Sequence, residues 1–204
     1  MTEIRHIVFD VGRVLIHWDP ELAYVERIPD PDKRQQFLTV VCSPAWNVEQ
    51  DRGRSWREAE DLLIAEHPDE EDNIRAFRAN WHKMVPHALE DSVAIMCGLM
   101  ADGHDVTLLT NFASDTFAEA GERFDFLRQT RGATVSAHIG KIKPDREIYD
   151  AHVSSFDLTP EATLFVDDSE KNVIGAMQAG WQAVQFIDAD TLKRDLASLG
   201  IKAA

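Results

Sequence analysis

Cysteine is nearly absent from these 204 residues: Cys42 and Cys97 are the only two. They offer at most one bridge and no Cys-x-x-Cys pair, which excludes a disulfide framework and points to a reducing compartment. Long apolar runs are missing too. The opening stretch MTEIRHIVFD passes straight into a strand-like run, without a transmembrane segment or a signal-peptide pattern, so a soluble cytoplasmic protein is expected. Basic residues are scarce, 21 Lys and Arg against 36 Asp and Glu, for a net charge of −15. Such a surface repels polyphosphate and anionic lipid, which argues against nucleic-acid and membrane partners. An anionic ligand would have to bind in a locally positive pocket. Repeats and low-complexity tracts are also lacking. The length suits one compact domain, or one domain with a modest insertion.

What is present is a series of short apolar runs that end in polar residues. Ile7-Val8-Phe9 ends in Asp10, Val106–Leu109 in Thr110-Asn111, Leu164-Phe165-Val166 in Asp167-Asp168, and Ala183–Ile187 in Asp188. This pattern suits parallel strands buried on both faces. Helical patterns lie between them: Ser92–Met100, Ser114–Phe124 with Ser114 as its cap, Asp145–Phe156 and Val173–Ala179, the last stopping at Gly180. The expected fold is α/β, a doubly wound, Rossmann-like parallel sheet, whose ligand crevice lies beyond the carboxyl ends of the strands. Residues 20–85 differ, with helices predicted at Glu21–Arg27, Asp32–Val41, Trp56–Glu66 and Glu70–Met84 and no strand. Such a stretch is too long for an ordinary connection. It reads as a small helical cap inserted in a core formed by 1–19 and 86–204.

Each motif alone has a structural and a chemical reading. Asp10 is a strand-end turn residue or a carboxylate nucleophile. Thr110-Asn111 is a turn or helix cap, or a hydroxyl and backbone N–H that hold an anion. Lys143, ahead of Pro144, is an exposed lysine or a fixed cation that neutralises a phosphoryl group. Asp167-Asp168 is a capping doublet or a carboxylate pair that needs a hard divalent ion to offset its repulsion.

Taken together, these stretches resemble the haloacid dehalogenase-like hydrolase superfamily. The matching residues are Ile7–Leu15, Leu108–Asn111, Gly140–Asp145 with Ile148-Tyr149, and Phe165–Ser169 with Asn172. The first and last motifs are most similar to the branch that contains bacterial glucose-1-phosphate phosphatase. The resemblance implies a Mg²⁺-dependent phosphomonoesterase acting on a small phosphorylated metabolite. In it Asp10 attacks phosphorus, and Asp10, the Gly12 carbonyl and Asp168 hold the metal. Asp167 and Asn172 support them, Thr110 and the Asn111 amide hold phosphoryl oxygens, and Lys143 balances charge.

One position departs from the pattern. Most phosphatases of this superfamily carry a second Asp two residues after the nucleophile as general acid and base; here Gly12 stands there. General acid–base assistance contributes about 10²–10⁴-fold. Three explanations follow: an anomeric or acyl phosphate substrate that leaves easily, a substitute such as His17 or Asp19, or a weakly active or non-catalytic protein. A 2-haloacid dehalogenase is the rival within enzymes, although the acidic pair argues against it. Arg13 either contacts substrate or points outward. In the cap, Trp46, Asp51, Arg52 and Trp56 either face the crevice or serve as packing and surface residues.

Overall fold

The computed structural model describes residues 3–202. Five parallel strands form one sheet in the order β3-β2-β1-β4-β5: β1 (His6–Phe9), β2 (Asp105–Thr110), β3 (Ala133–Val135), β4 (Thr163–Asp167) and β5 (Gln182–Gln185). Its short apolar runs are buried on both faces, as a parallel sheet between helices requires. Strand alternation divides them. Val8, Leu109 and Phe165 pack with Tyr149 and Trp181 on one side, while Ile7, Phe9, Leu108, Leu164 and Val166 join the larger core on the other.

β1 is the centre of the sheet. Phe9 stands opposite Leu108 of β2 and Val166 of β4, so the residues that follow these strands converge at one edge. The expected α/β architecture is found, with several local corrections. β3 was not predicted; three residues at a sheet edge are too few to show a period. The last strand is Gln182–Gln185 and ends before Phe186. Ser114 lies inside its helix, where Ala113 takes the flanking position. Helix Arg146–Phe156 starts one residue later than predicted, after Asp145.

The segment 20–84 holds no strand. Glu21–Arg27 contains only the 3₁₀ turn Pro20–Ala23, capped by Asp19. Helix Pro31–Gln36 continues as a π-turn over Phe37–Val41, and the predicted Glu70–Met84 helix breaks at Asn80 into Glu71–Ala79 and Trp81–Met84. Trp56–Glu66 forms as predicted. Helix Pro44–Asp51 was missed, although Ser43 caps it and Pro44 occupies its first turn, a recognisable start signal. Among the described residues, no helix is long and apolar enough to cross a membrane.

Candidate active site

The strand edges deliver the polar residues to one crevice of ≈ 570 Å³, lined by Asp10, Gly12, Thr110, Asn111, Lys143, Asp168 and Asn172 among others. Asp167 lies beneath it, fully buried. Lys143 reaches the crevice from a loop rather than from a strand end. It sits in the loop between the short helix Ser136–Ile139 and helix Arg146–Phe156. Two hydrogen bonds from one side chain hold that loop in place. The Asn111 side chain accepts from the Lys143 N–H (2.8 Å) and donates to the Lys143 carbonyl (3.0 Å). Gly175 completes the fit, because a Cβ there would come within 2.7 Å of the Pro144 carbonyl.

Lys143 Nζ is the hub. It donates to Asp167 Oδ2 at 2.7 Å and to the Leu109 carbonyl at 3.0 Å, and it lies 2.7 Å from Asp10 Oδ1. The last contact is a buried ion pair, and no other donor bonds Asp10 Oδ1 among the described residues. Asp167, by contrast, is saturated. Its oxygens accept from the Ser169 N–H and from Asn172 Nδ2 as well as from Lys143. Helix Glu170–Gln178 has no side-chain cap, so the acidic pair is not a capping doublet.

Three carboxylates, those of Asp10, Asp167 and Asp168, bring oxygens within 4.8 Å of one another, and one ammonium faces them. Burial raises the Asp10 carboxyl above its ordinary range and the Asp167 charge adds to this, while Lys143 opposes both. Burial and Asp167 likewise raise Asp168, against Arg13 and Lys143. Burial alone would lower Lys143, but the charges of Asp10 and Asp167 outweigh it and keep the amine cationic. An all-oxygen cluster with surplus negative charge fits a hard divalent cation. Asp10 and Asp168 have oxygen to offer; Asp167 is already engaged.

The other candidates separate. Arg13 has a left-handed backbone (φ 59°) and lines the crevice, its Nε donating to the Trp18 carbonyl at 3.3 Å. His17 stacks on His87 (5.1 Å between centroids), and Asp19 caps the 3₁₀ turn; neither lines the crevice. Trp46 is packing, with Nε1 donating to the Ala59 carbonyl and its ring edge-on to Phe77. Arg52 reaches Asp145 across the rim at 3.8 Å. Trp56 and Asp51 line a smaller cavity of ≈ 90 Å³ with Gly12, Trp18 and Trp81, and Asp51 also lines the main crevice.

A parallel sheet whose central strand ends in a carboxylate, facing a lysine and an acidic pair, defines a hydrolase site of one known architecture. Residues 44–186 match the family model for haloacid dehalogenase-like hydrolase, and the chain belongs to that family. Among curated proteins it is 27% identical to a sesquiterpene phosphatase of Aspergillus oryzae over 92% of each chain. A haloacid dehalogenase family enzyme of Bacteroides thetaiotaomicron, solved with magnesium and inorganic phosphate, superposes with a TM-score of 0.71. The match has 19% identity and covers 91% of this chain and 95% of that one. L-2-haloacid dehalogenase of Xanthobacter autotrophicus superposes at 0.66 with 17% identity, covering 96% and 83%. These superpositions establish the fold.

Proposed function

We propose that the protein is a Mg²⁺-dependent phosphomonoester hydrolase that works through an aspartyl-phosphate on Asp10. The observation that carries this reading is the buried Asp10 carboxylate at the end of the central strand, 2.7 Å from Lys143 Nζ and within an acidic cluster. A carboxylate so placed can act as a nucleophile. Asp10, the Gly12 carbonyl and Asp168 would hold the metal, with Asp167 and Asn172 in support. Bound Mg²⁺ would offset the charge that nucleophile and phosphoryl group bring together.

The chain's own groups do the rest. Lys143, fixed by Asp167 and by the Asn111 clamp, balances charge at the attacking oxygen. Thr110 and the Asn111 backbone N–H receive phosphoryl oxygens. Positioning and charge compensation are what phosphoryl transfer chiefly requires. The helices of 20–85 act as a cap that closes the crevice from above. The substrate is a small phosphorylated metabolite, and a sugar 1-phosphate is the first to test because its anomeric oxygen leaves readily.

The test is phosphate release from a panel of small phosphate esters, with Mg²⁺ and with chelator, in wild type and Asp10→Asn. Mg²⁺-dependent release that disappears in Asp10→Asn is expected. No phosphate release, together with metal-independent halide release from 2-haloacids, would replace this reading with that of a dehalogenase.

A further inference from the structure

We infer that Asp51, carried by the cap helix Pro44–Asp51, donates and accepts the proton that no side chain at Gly12 can handle. This rests on the phosphatase reading above. Asp51 lines the same crevice as Asp10, Thr110 and Lys143. It also lines the smaller cavity beside Gly12, where a Cβ built on the glycine meets no atom within 4 Å. The space left by the missing side chain is thus open, and Asp51 lines the same cavity.

Asp51 is held there but not neutralised. Ser136, at the end of β3, donates from Oγ to the Asp51 carbonyl at 2.5 Å and accepts from the Phe112 N–H at 2.9 Å. These two bonds tie the end of the cap helix to the core. At the carboxylate itself, Asn47 Nδ2 lies 3.5 Å from Oδ2, and no Lys or Arg forms an ion pair with it among the described residues. Burial and the Asp10 charge push its carboxyl up to about 7, against the Ala113 N–H and the more distant Lys143. The remaining charged groups nearby are turned elsewhere. Arg52 pairs with Glu49 and Asp145, Arg54 bonds Gln50, Asp115 pairs with Arg78, and His138 faces Phe117. A carboxyl that titrates near neutrality suits both acid and base duty.

In the first step an Asp10 oxygen bonds to phosphorus and the phosphorus–ester oxygen bond breaks. The electron pair stays on the ester oxygen, which takes the Asp51 proton and departs as alcohol. In the second step a water oxygen bonds to phosphorus while Asp51 accepts one of its protons. The phosphorus–Asp10 bond then breaks, its pair returns to the carboxylate, and inorganic phosphate leaves.

The experiment is rapid-quench kinetics of the Mg²⁺-loaded enzyme on a series of aryl phosphates, from 4-nitrophenyl to phenyl. With 4-nitrophenyl phosphate, Asp51→Asn is expected to release about one nitrophenol per site in a burst. It then turns over about 10²–10⁴-fold more slowly than wild type, with phosphoenzyme accumulating. Its phosphorylation rate should fall more steeply along the series as the leaving group becomes more basic, and Asp51→Glu should restore part of the turnover. The burst itself reports that the variant is folded. Parallel leaving-group series with no accumulated phosphoenzyme would overturn the role of Asp51. A wild type that forms no phosphoenzyme would instead remove the Asp10 reading beneath it.

Discussion

Two buried polar centres lie on either side of β2, and they are built on opposite rules. At one, His152 sits fully buried between Thr107 (2.9 Å) and Thr134 (2.8 Å), each ring nitrogen meeting one hydroxyl. Every polar atom there has a partner and nothing is charged. At the other, Lys143 faces Asp10 and Asp167 with Asp168 close by, and the carboxylates outnumber the cation. Satisfied polar groups stabilise a core, whereas unsatisfied ones persist where a ligand completes them. The first centre is built as a core holds itself together, and the second is the one proposed for chemistry.

The comparison is broken most forcefully at its hub. Lys143→Ala leaves Asp10 and Asp167 buried without their cation, and losing one partner of a buried pair costs about 3–5 kcal/mol. Urea denaturation should show that loss, and phosphate release should vanish with it. At the other centre, His152→Ala opens a cavity and strands two hydroxyls, for a loss of about 2–4 kcal/mol. Activity per folded molecule should nevertheless remain; a kcat that falls at temperatures where the variant stays folded would contradict the division.

The pH response sharpens it further. Burial, with the charges of Arg131 and Lys143, lowers His152 from 6.5 to about 3. Between those values the unfolded chain binds the extra proton, so this contribution to stability is complete above about pH 6.5 and declines as pH falls. The loss amounts to about 2 kcal/mol by pH 5. Urea midpoints at pH 7.5 and 5 should show it in wild type, and its slope should be smaller in His152→Ala. The smallest effect belongs to the rim. Arg78 of helix Glu71–Ala79 pairs with Asp115 and Glu119 of helix Ser114–Arg123 at 2.7 and 3.1 Å, partly exposed, and Arg78→Ala should cost less than about 1 kcal/mol by the same measurement.

The candidate catalytic centre was more legible in the sequence than the one around His152. Asp10, Thr110 and Asp167-Asp168 could be read because each ends a run of buried apolar residues, a local signal. Lys143 was legible as a motif, but not its position in a loop rather than at a strand end, because the clamp from Asn111 spans 32 residues. His152 carried no signal, since only the fold brings Thr107 and Thr134 to its ring. Asp51 was one of four cap residues with two open readings, and its helix was missed although Ser43-Pro44 marked the start. Its backbone carbonyl is tied to Ser136, 85 residues away, a contact that no local pattern encodes.

The most direct test of the central claim is the melting temperature of wild type and Asp10→Asn in chelator and in Mg²⁺. Removing one of the crowded carboxylates should raise stability in chelator while abolishing phosphate release. Mg²⁺ should stabilise wild type by mass action and Asp10→Asn much less. A wild type indifferent to Mg²⁺, or an Asp10→Asn that melts lower in chelator, would contradict the view that this centre is held short of satisfaction for a cation and a phosphoryl group.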